Sequence, residues 1–282
     1  MGCTTPAEAA LALLLFPPRF VIMFAAELLA FTACIIAGFG AELPLAPWRR
    51  ALVQAVVPAC SRVVLATVGI HRVRCVGQMD PTVQCFVPNH QCILDGFVLV
   101  ACLQAPSFVA RMEGLANFPV YGTICRGLQI VFVRRADAAS RRACADAIVE
   151  RVRDAGRERA DRRWPPLVVF AEGTTARDGR LLEFKPGAFR AGEPVQPVLL
   201  RYDDGLPLEG PGGGLFAELV FLVRLLARTS TACELRFLPP RRPSAEERTD
   251  PARYAAAVRA AMQAELDERT LTHPLHRRWV SG

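Results

Sequence analysis

Val87-Pro88-Asn89-His90-Gln91-Cys92-Ile93-Leu94-Asp95-Gly96 is a short apolar run that breaks at a proline and resumes as the opening of a helix. The run delivers a histidine and, five residues later, a carboxylate. Five residues along an α-helix turn through about 500°, so two residues at that spacing do not share a helix face. His90 therefore belongs at or before the first turn, with Asp95 inside it. In that arrangement a carboxylate can reach back to a ring nitrogen, fix the tautomer and support the imidazolium formed when the ring takes a proton, which is the chemistry of a general base. Taken alone, the spacing is equally met by a core histidine and an unrelated surface carboxylate.

Outward from this stretch the chain alternates between short strands and helices. Apolar or β-branched runs at 72–76, 84–87, 107–110, 130–133, 167–170, 195–200 and 233–238 are bounded by Gly, Pro or charge and read as strands. Residues 94–104 read as a helix, as do 139–155, with Cys144, Ile148 and Val152 on one stripe and Gly156 as a stop. Asp250-Pro251 is an N-cap followed by proline at the first helical position, ahead of a stripe of Tyr254, Val258, Met262 and Leu266. Residues 215–227, introduced by a glycine-rich stretch, form a further apolar helix too short to span a bilayer. Strand and helix in alternation indicate an α/β sandwich.

Before the alternation begins the chain is unusually apolar. Over 282 residues it is 52% hydrophobic with a mean hydropathy of +0.24, above the ordinary range for a soluble enzyme. Residues 20–39 are a run of twenty with one charge, Glu27, which is the length of a membrane helix. A shorter apolar run at 11–16 precedes Pro17-Pro18, so the segment reads either as one spanning helix or as a hairpin that enters and returns. No basic stretch precedes it, so a signal peptide is not expected. Arg49, Arg50 and Arg62 follow it against Arg19 before it, a bias that places the rest of the chain in the cytosol. Residues 51–70 are more amphipathic and are expected to pack on the domain or lie in the interface.

The net charge of +7 comes almost wholly from arginine, with Lys185 the one lysine. It suits an anionic membrane surface or a phosphate-bearing substrate; the charge is dispersed and no nucleic-acid motif is present, so no nucleic-acid partner is expected. Ten cysteines lack a C-x-x-C pair and read as small buried apolar residues, with neither disulfides nor zinc expected. Oligomeric state has no signature in the chain.

Three further stretches carry chemistry. Phe132-Val133-Arg134-Arg135 ends a strand in two guanidiniums, which can fork onto a phosphate. Phe170-Ala171-Glu172-Gly173-Thr174-Thr175 is a strand that breaks where glycine permits close approach and Thr174 offers a hydroxyl. Phe184 to Phe189 holds Lys185, a compact charge suited to a phosphate. In order and spacing, N-H-x4-D at Asn89 to Asp95, G-x4-F-V-x-R at Gly127 to Arg135, F-x-E-G-T at Phe170 to Thr174 and V-x-P-V at Val195 to Val198 resemble the glycerolipid acyltransferase superfamily. Within it the chain is most similar to the lysophosphatidylcholine acyltransferase branch, over about residues 11–266.

The resemblance implies an α/β fold, a mixed sheet flanked by helices, with an N-terminal membrane helix or helical hairpin. It divides the chain into a membrane-anchoring segment at 1–50, an acyltransferase domain at 51–270 and a tail at 271–282. It implies His90 as catalytic base and Asp95 as its orienting partner, with Arg135, Glu172 and Gly173 holding the acceptor's phosphate. Acyl-CoA and a lysophospholipid would be the substrates, no metal or other cofactor would be needed, and the protein would sit in a membrane, the endoplasmic reticulum, facing the cytosol. Lysophosphatidic acid is the alternative acceptor, and a lipid-binding protein without activity the alternative class. Helix-start amides after His90 are expected to face the reaction's oxyanion. Two departures are visible: Ala171 stands where the family has proline, and the chain as given ends at Gly282, so the EF-hand region of some relatives is not expected.

Overall fold

The computed structural model describes residues 6–112, 119–154, 164–176, 180–203 and 215–272. Two helices, α1 (Pro6–Gly38) and α2 (Pro47–Thr67), precede a sheet of seven strands. The strands are β1 (Val73–Val76), β2 (Cys85–Pro88), β3 (Ser107–Arg111), β4 (Val131–Val133), β5 (Leu167–Val168), β6 (Val195–Tyr202) and β7 (Cys233–Phe237). Between and after them come α3 (Leu94–Cys102), α4 (Pro119–Gly127), α5 (Ala138–Arg153), α6 (Leu215–Leu226), α7 (Ala245–Thr249) and α8 (Pro251–Thr272). The order across the sheet is β1-β7-β6-β2-β5-β3-β4, with every neighbouring pair parallel except β6 with β7. The mixed α/β sheet expected from the sequence is thus present, and all seven strands lie where apolar runs were read, with ends shifted by a residue or two.

Each face of the sheet is covered, which is why its central strands are apolar throughout. All four residues of β2 are buried. Phe86 joins the core beneath α2 and α3, while its neighbours Cys85 and Val87 join the core beneath α5 and α8, the period-two alternation of a strand. On that second face Tyr254, Val258, Met262 and Leu266 form the expected buried stripe of α8. Its N-terminus is capped as read, since Asp250 accepts from the amides of Ala252 and Arg253. Helix α5 ends at Arg153, and Gly156, the glycine-rich 210–214 and the tail from 273 lie outside the described residues.

Of the two forms expected for the apolar N-terminal segment, the continuous helix is the one present. Helix α1 runs through Pro17 and Pro18 without turning back, so no hairpin forms at that point. Its antiparallel partner is α2, which begins four residues before the boundary at 50/51 and contributes Val53, Val57, Cys60 and Val64 to the core. The turn between them is held by Arg49, whose guanidinium donates to the carbonyls of Ala37 at 2.8 Å and Phe39 at 2.7 Å and so satisfies the end of α1. Arg62, the charge inside α2, is used in the same way, donating to Ala101 in the last turn of α3. Both Leu14–Gly38 and Pro47–Thr67 are long and apolar enough to cross a membrane.

Helix α1 meets the domain through small residues. Ala26, Ala30, Ala33, Cys34 and Ala37 are buried, whereas Phe24, Leu28, Leu29, Ile35 and Ile36 are exposed. The small face lets α4 approach so closely that a Cβ added to Gly127 would lie 2.5 Å from Cys34 Sγ. Gly127→Ala is accordingly expected to cost about 1–3 kcal/mol by overpacking. Thermal unfolding of the detergent-solubilised protein should show a lower Tm than wild type, and an unchanged Tm would mean that α1 does not dock this closely.

Candidate active site

The C-terminal end of β2 and the segment after it build the site. Pro88 has no amide hydrogen, and Asn89 continues the ladder to β6 both with its amide, which donates to the carbonyl of Val198 at 3.3 Å, and with its side chain: Oδ1 accepts from the amide of Leu200 at 2.7 Å and Nδ2 donates to the carbonyl of Leu200 at 3.0 Å. That clamp aims the next residue, His90, off the sheet end, ahead of α3. Asp95 lies in the first turn of α3 with no exposed surface. Its Oδ2 accepts from His90 Nδ1 at 2.8 Å and from the amides of Gln91 at 2.6 Å and Cys92 at 3.0 Å. Because an ionised carboxylate only accepts, Nδ1 carries the hydrogen and Nε2 is left as the basic nitrogen.

Tyr202, which belongs to no motif, and Phe170, which opens F-x-E-G-T, complete this arrangement. The hydroxyl of Tyr202, at the end of β6, donates to Asp95 Oδ1 at 2.8 Å. Burial, then the charge of Asp95, raises the Tyr202 phenol well above its usual range, so it stays a donor. The imidazole also stacks on Phe170, ring centres 4.0 Å apart, and Phe170 in turn stacks on Phe108. The ring is fixed in its plane by the aromatic and along its edge by the carboxylate.

The amides of Gln91 and Cys92 point inward to Asp95, so they do not face the cleft as an oxyanion site. For these two amides this corrects the expectation at the helix start, because the hydrogen bonds that hold Asp95 have consumed them. Cys92 is no nucleophile either, because burial first and Asp95 second push its thiol far above the usual value.

Glu172, expected at the acceptor's phosphate, is placed otherwise. It is 3% exposed, with Oε1 accepting from the amide of His90 and Oε2 from the amide of Leu182, each at 2.9 Å. Its carboxyl is raised by burial, against the lowering effect of those two amides. An anion whose oxygens are already used would repel a phosphate, and what it does instead is bind the turn after β5 to the turn after β2. Gly173 has φ +72, a left-handed conformation suited to glycine, and its carbonyl accepts from the Arg135 guanidinium. A Cβ on Gly173 would lie 2.9 Å from Lys185 Nζ. Arg135 and Lys185 thus converge on Gly173, with Thr174 exposed beside it.

These groups open onto a cavity of about 610 Å³. Its walls are largely apolar, from α1, α2, α3, β3 and α4, and His90, Arg135, Gly173, Thr174 and Thr175 line it. Glu172 and Lys185 are not among its lining residues. Arg111, at the end of β3, is, although no motif marked it. Arg134 points away, with Nε 3.1 Å from the sulfur of Met112. No group of three or more His, Cys, Asp or Glu that could hold a metal ion occurs among the described residues.

The family model described as Acyltransferase matches residues 78–201, the span that holds every residue just described except Tyr202. Lysophosphatidylcholine acyltransferase 1 of Homo sapiens is 34% identical over 271 residues, covering 92% of this chain and 48% of that protein. Lysophospholipid acyltransferase LPCAT4 of Xenopus tropicalis is 36% identical over 220 residues, covering 76% of this chain and 40% of that protein. The chain spans about half the length of the curated relatives it matches. Among solved structures, the 1-acyl-sn-glycerophosphate (LPA) acyltransferase PlsC from Thermotoga maritima superposes with a TM-score of 0.53 over 90% of this chain and 99% of that one. At 18% identity that likeness concerns the fold.

Proposed function

Because the chain belongs to the glycerolipid acyltransferase family, we propose that it transfers a fatty acyl group from acyl-CoA to the free hydroxyl of a lysophospholipid of the lysophosphatidylcholine type. The observation that carries this reading is a histidine held by a buried carboxylate at the wall of a large apolar cavity that also has a guanidinium on its lining. His90 Nε2 takes the proton from the acceptor hydroxyl as its oxygen adds to the thioester carbonyl. The tetrahedral intermediate then expels the CoA thiolate, and the imidazolium returns the proton to that sulfur. Asp95 supports the charge on the ring between these steps, Tyr202 holds Asp95, and Glu172 sets the backbone of His90. No acyl-enzyme is required.

Arg135 serves the acceptor's phosphate, near the carbonyl of Gly173, with Lys185 adding positive charge and Thr174 a hydroxyl. Membranes containing the full chain, given labelled acyl-CoA and a panel of lysophospholipids, should form diacyl product; no transfer to any acceptor would sink the reading. In the same assay Arg135→Ala is expected to raise the KM for the lysophospholipid far more than that for acyl-CoA, about tenfold or more for loss of a charge-assisted fork. Arg134→Ala, whose side chain lies on Met112, should do little. Equal effects of both substitutions on both substrates would assign the phosphate elsewhere.

We further propose that α1 and α2 attach the protein to the membrane as a re-entrant pair, with the catalytic domain on the cytosolic side of the endoplasmic reticulum. Helix α1 is tied to the domain near its middle, where Arg19 donates to the carbonyls of Leu226 and Arg228, and the connection from α1 to α2 is tied by the amide of Leu45, which donates to Gln129. From Arg19 to its C-terminal end the helix lies along the domain on its small buried face, and its exposed apolar side is what lipid would cover. The protein is expected to stay in the pellet through salt and carbonate washes, and protease added outside sealed microsomes should reach tags at either terminus. Release by carbonate, or protection of one tag, would overturn this attachment.

A further inference from the structure

Glu27 is the single charge in the apolar run of α1, and acyl transfer as derived above leaves it without a task. It lines the same cavity as His90, and its Oε1 accepts from the hydroxyl of Tyr121 at 2.9 Å. Among the described residues that line the cavity it is the one acidic side chain, and no described Arg, Lys or His pairs with it. A carboxylate against an apolar wall is costly, and a neutral phenol offsets only part of that cost. A cation would complete it.

The topology brings this group to the guanidiniums. Strands β3 and β4 are parallel, so α4 between them runs back from the C-terminal end of β3 to the N-terminal end of β4. That crossover places Tyr121, in the first turn of α4, at the sheet end where Arg111 closes β3 and Arg135 follows β4. One cavity therefore holds two guanidiniums and a carboxyl beside a tyrosine ring. A phosphate bearing an ammonium group has the matching pair of signs.

Resting on the acyl-transfer reading, we propose that Glu27 and Tyr121 select the acceptor's head group, taking the ammonium of a phospho-amino-alcohol while Arg135 and Arg111 take its phosphate. The carboxylate supplies the countercharge and the tyrosine ring a cation–π face. An acceptor ending in a bare phosphate monoester sets extra negative charge against Glu27 and is disfavoured.

The test uses membranes containing the full chain, one acyl-CoA, and two acceptors with the same acyl chain, lysophosphatidylcholine and lysophosphatidic acid. Wild type should show the higher kcat/KM with the choline lipid. Glu27→Gln, which keeps the shape and removes the charge, should lower the choline-to-phosphatidic ratio about tenfold, as expected for loss of one close charge pair. Glu27→Asp should keep part of the ratio, and Tyr121→Phe, which retains the ring, should lower it less than Glu27→Gln. Should Glu27→Gln fail to accumulate, the ratios of the other two variants carry the same test. A wild type that prefers lysophosphatidic acid overturns the proposal, as does a ratio unchanged across the variants. So does a change in preference among acyl-CoA chain lengths at a constant head-group ratio, which would put Glu27 against the acyl chain. A wild type silent with every acceptor fails the acyl-transfer reading itself, a result distinct from all of these.

Discussion

His90→Ala is expected to lower kcat by roughly 10²–10⁴-fold, the usual contribution of a positioned general base. The side chain is about a quarter exposed at the cavity wall, so little packing is lost with it. Glu172 holds the backbone amide of this residue, not its ring, so the turn should keep its shape in the variant. Transfer per folded molecule, with expression and membrane attachment measured alongside, decides the matter. A His90→Ala protein that stays folded and transfers at near the wild-type rate would remove the mechanism. Loss of folded protein in proportion to lost activity would make the histidine a packing residue.

Asp95→Asn is the second large effect, and the geometry says why the damage should fall on catalysis. The amide oxygen can replace Oδ2 as acceptor for His90 Nδ1 and the amides of Gln91 and Cys92, leaving the amide nitrogen toward Tyr202, whose hydroxyl can turn and accept. Shape survives while the negative charge that stabilises the imidazolium is gone. A fall in kcat on the order of 10²-fold or more is expected with KM little changed. Because the two residues act as one unit, the double variant should be scarcely worse than His90→Ala alone. Additive losses would show that Asp95 acts independently of the ring.

What the sequence made legible was local. Strands appeared because β-branched runs ended in Gly, Pro or charge, and the cap of α8 because Asp250-Pro251 is a local device whose partners lie two and three residues away. Helix periodicity placed His90 ahead of the first turn and Asp95 inside it, while the pairing of the two was implied by the resemblance. The contributions of Tyr202 and Arg111 were not legible, since neither belongs to a motif, and only the sheet order brings their strand ends to the side of His90. Glu172 was visible as a residue and misread in its task. From the chain a carboxylate beside Gly and Thr resembles part of a ligand loop, and nothing local reveals that two distant amides occupy it. The docking of α1 was hidden for a related reason: an apolar helix with an alanine face reads as a membrane span whether it faces lipid or a neighbour.

The hydrogen bond from Tyr202 to Asp95 crosses 107 residues, and that from the His90 amide to Glu172 crosses 82. On the ribosome the histidine and its carboxylate emerge together, long before the groups that hold them. At about 5–20 residues per second, the interval before Tyr202 follows is on the order of 5–20 s. Through that interval α1 and α2 are already available to a membrane, while the nascent protein has no assembled site for the transfer proposed above. Placement in the lipid thus precedes the capacity to act on it.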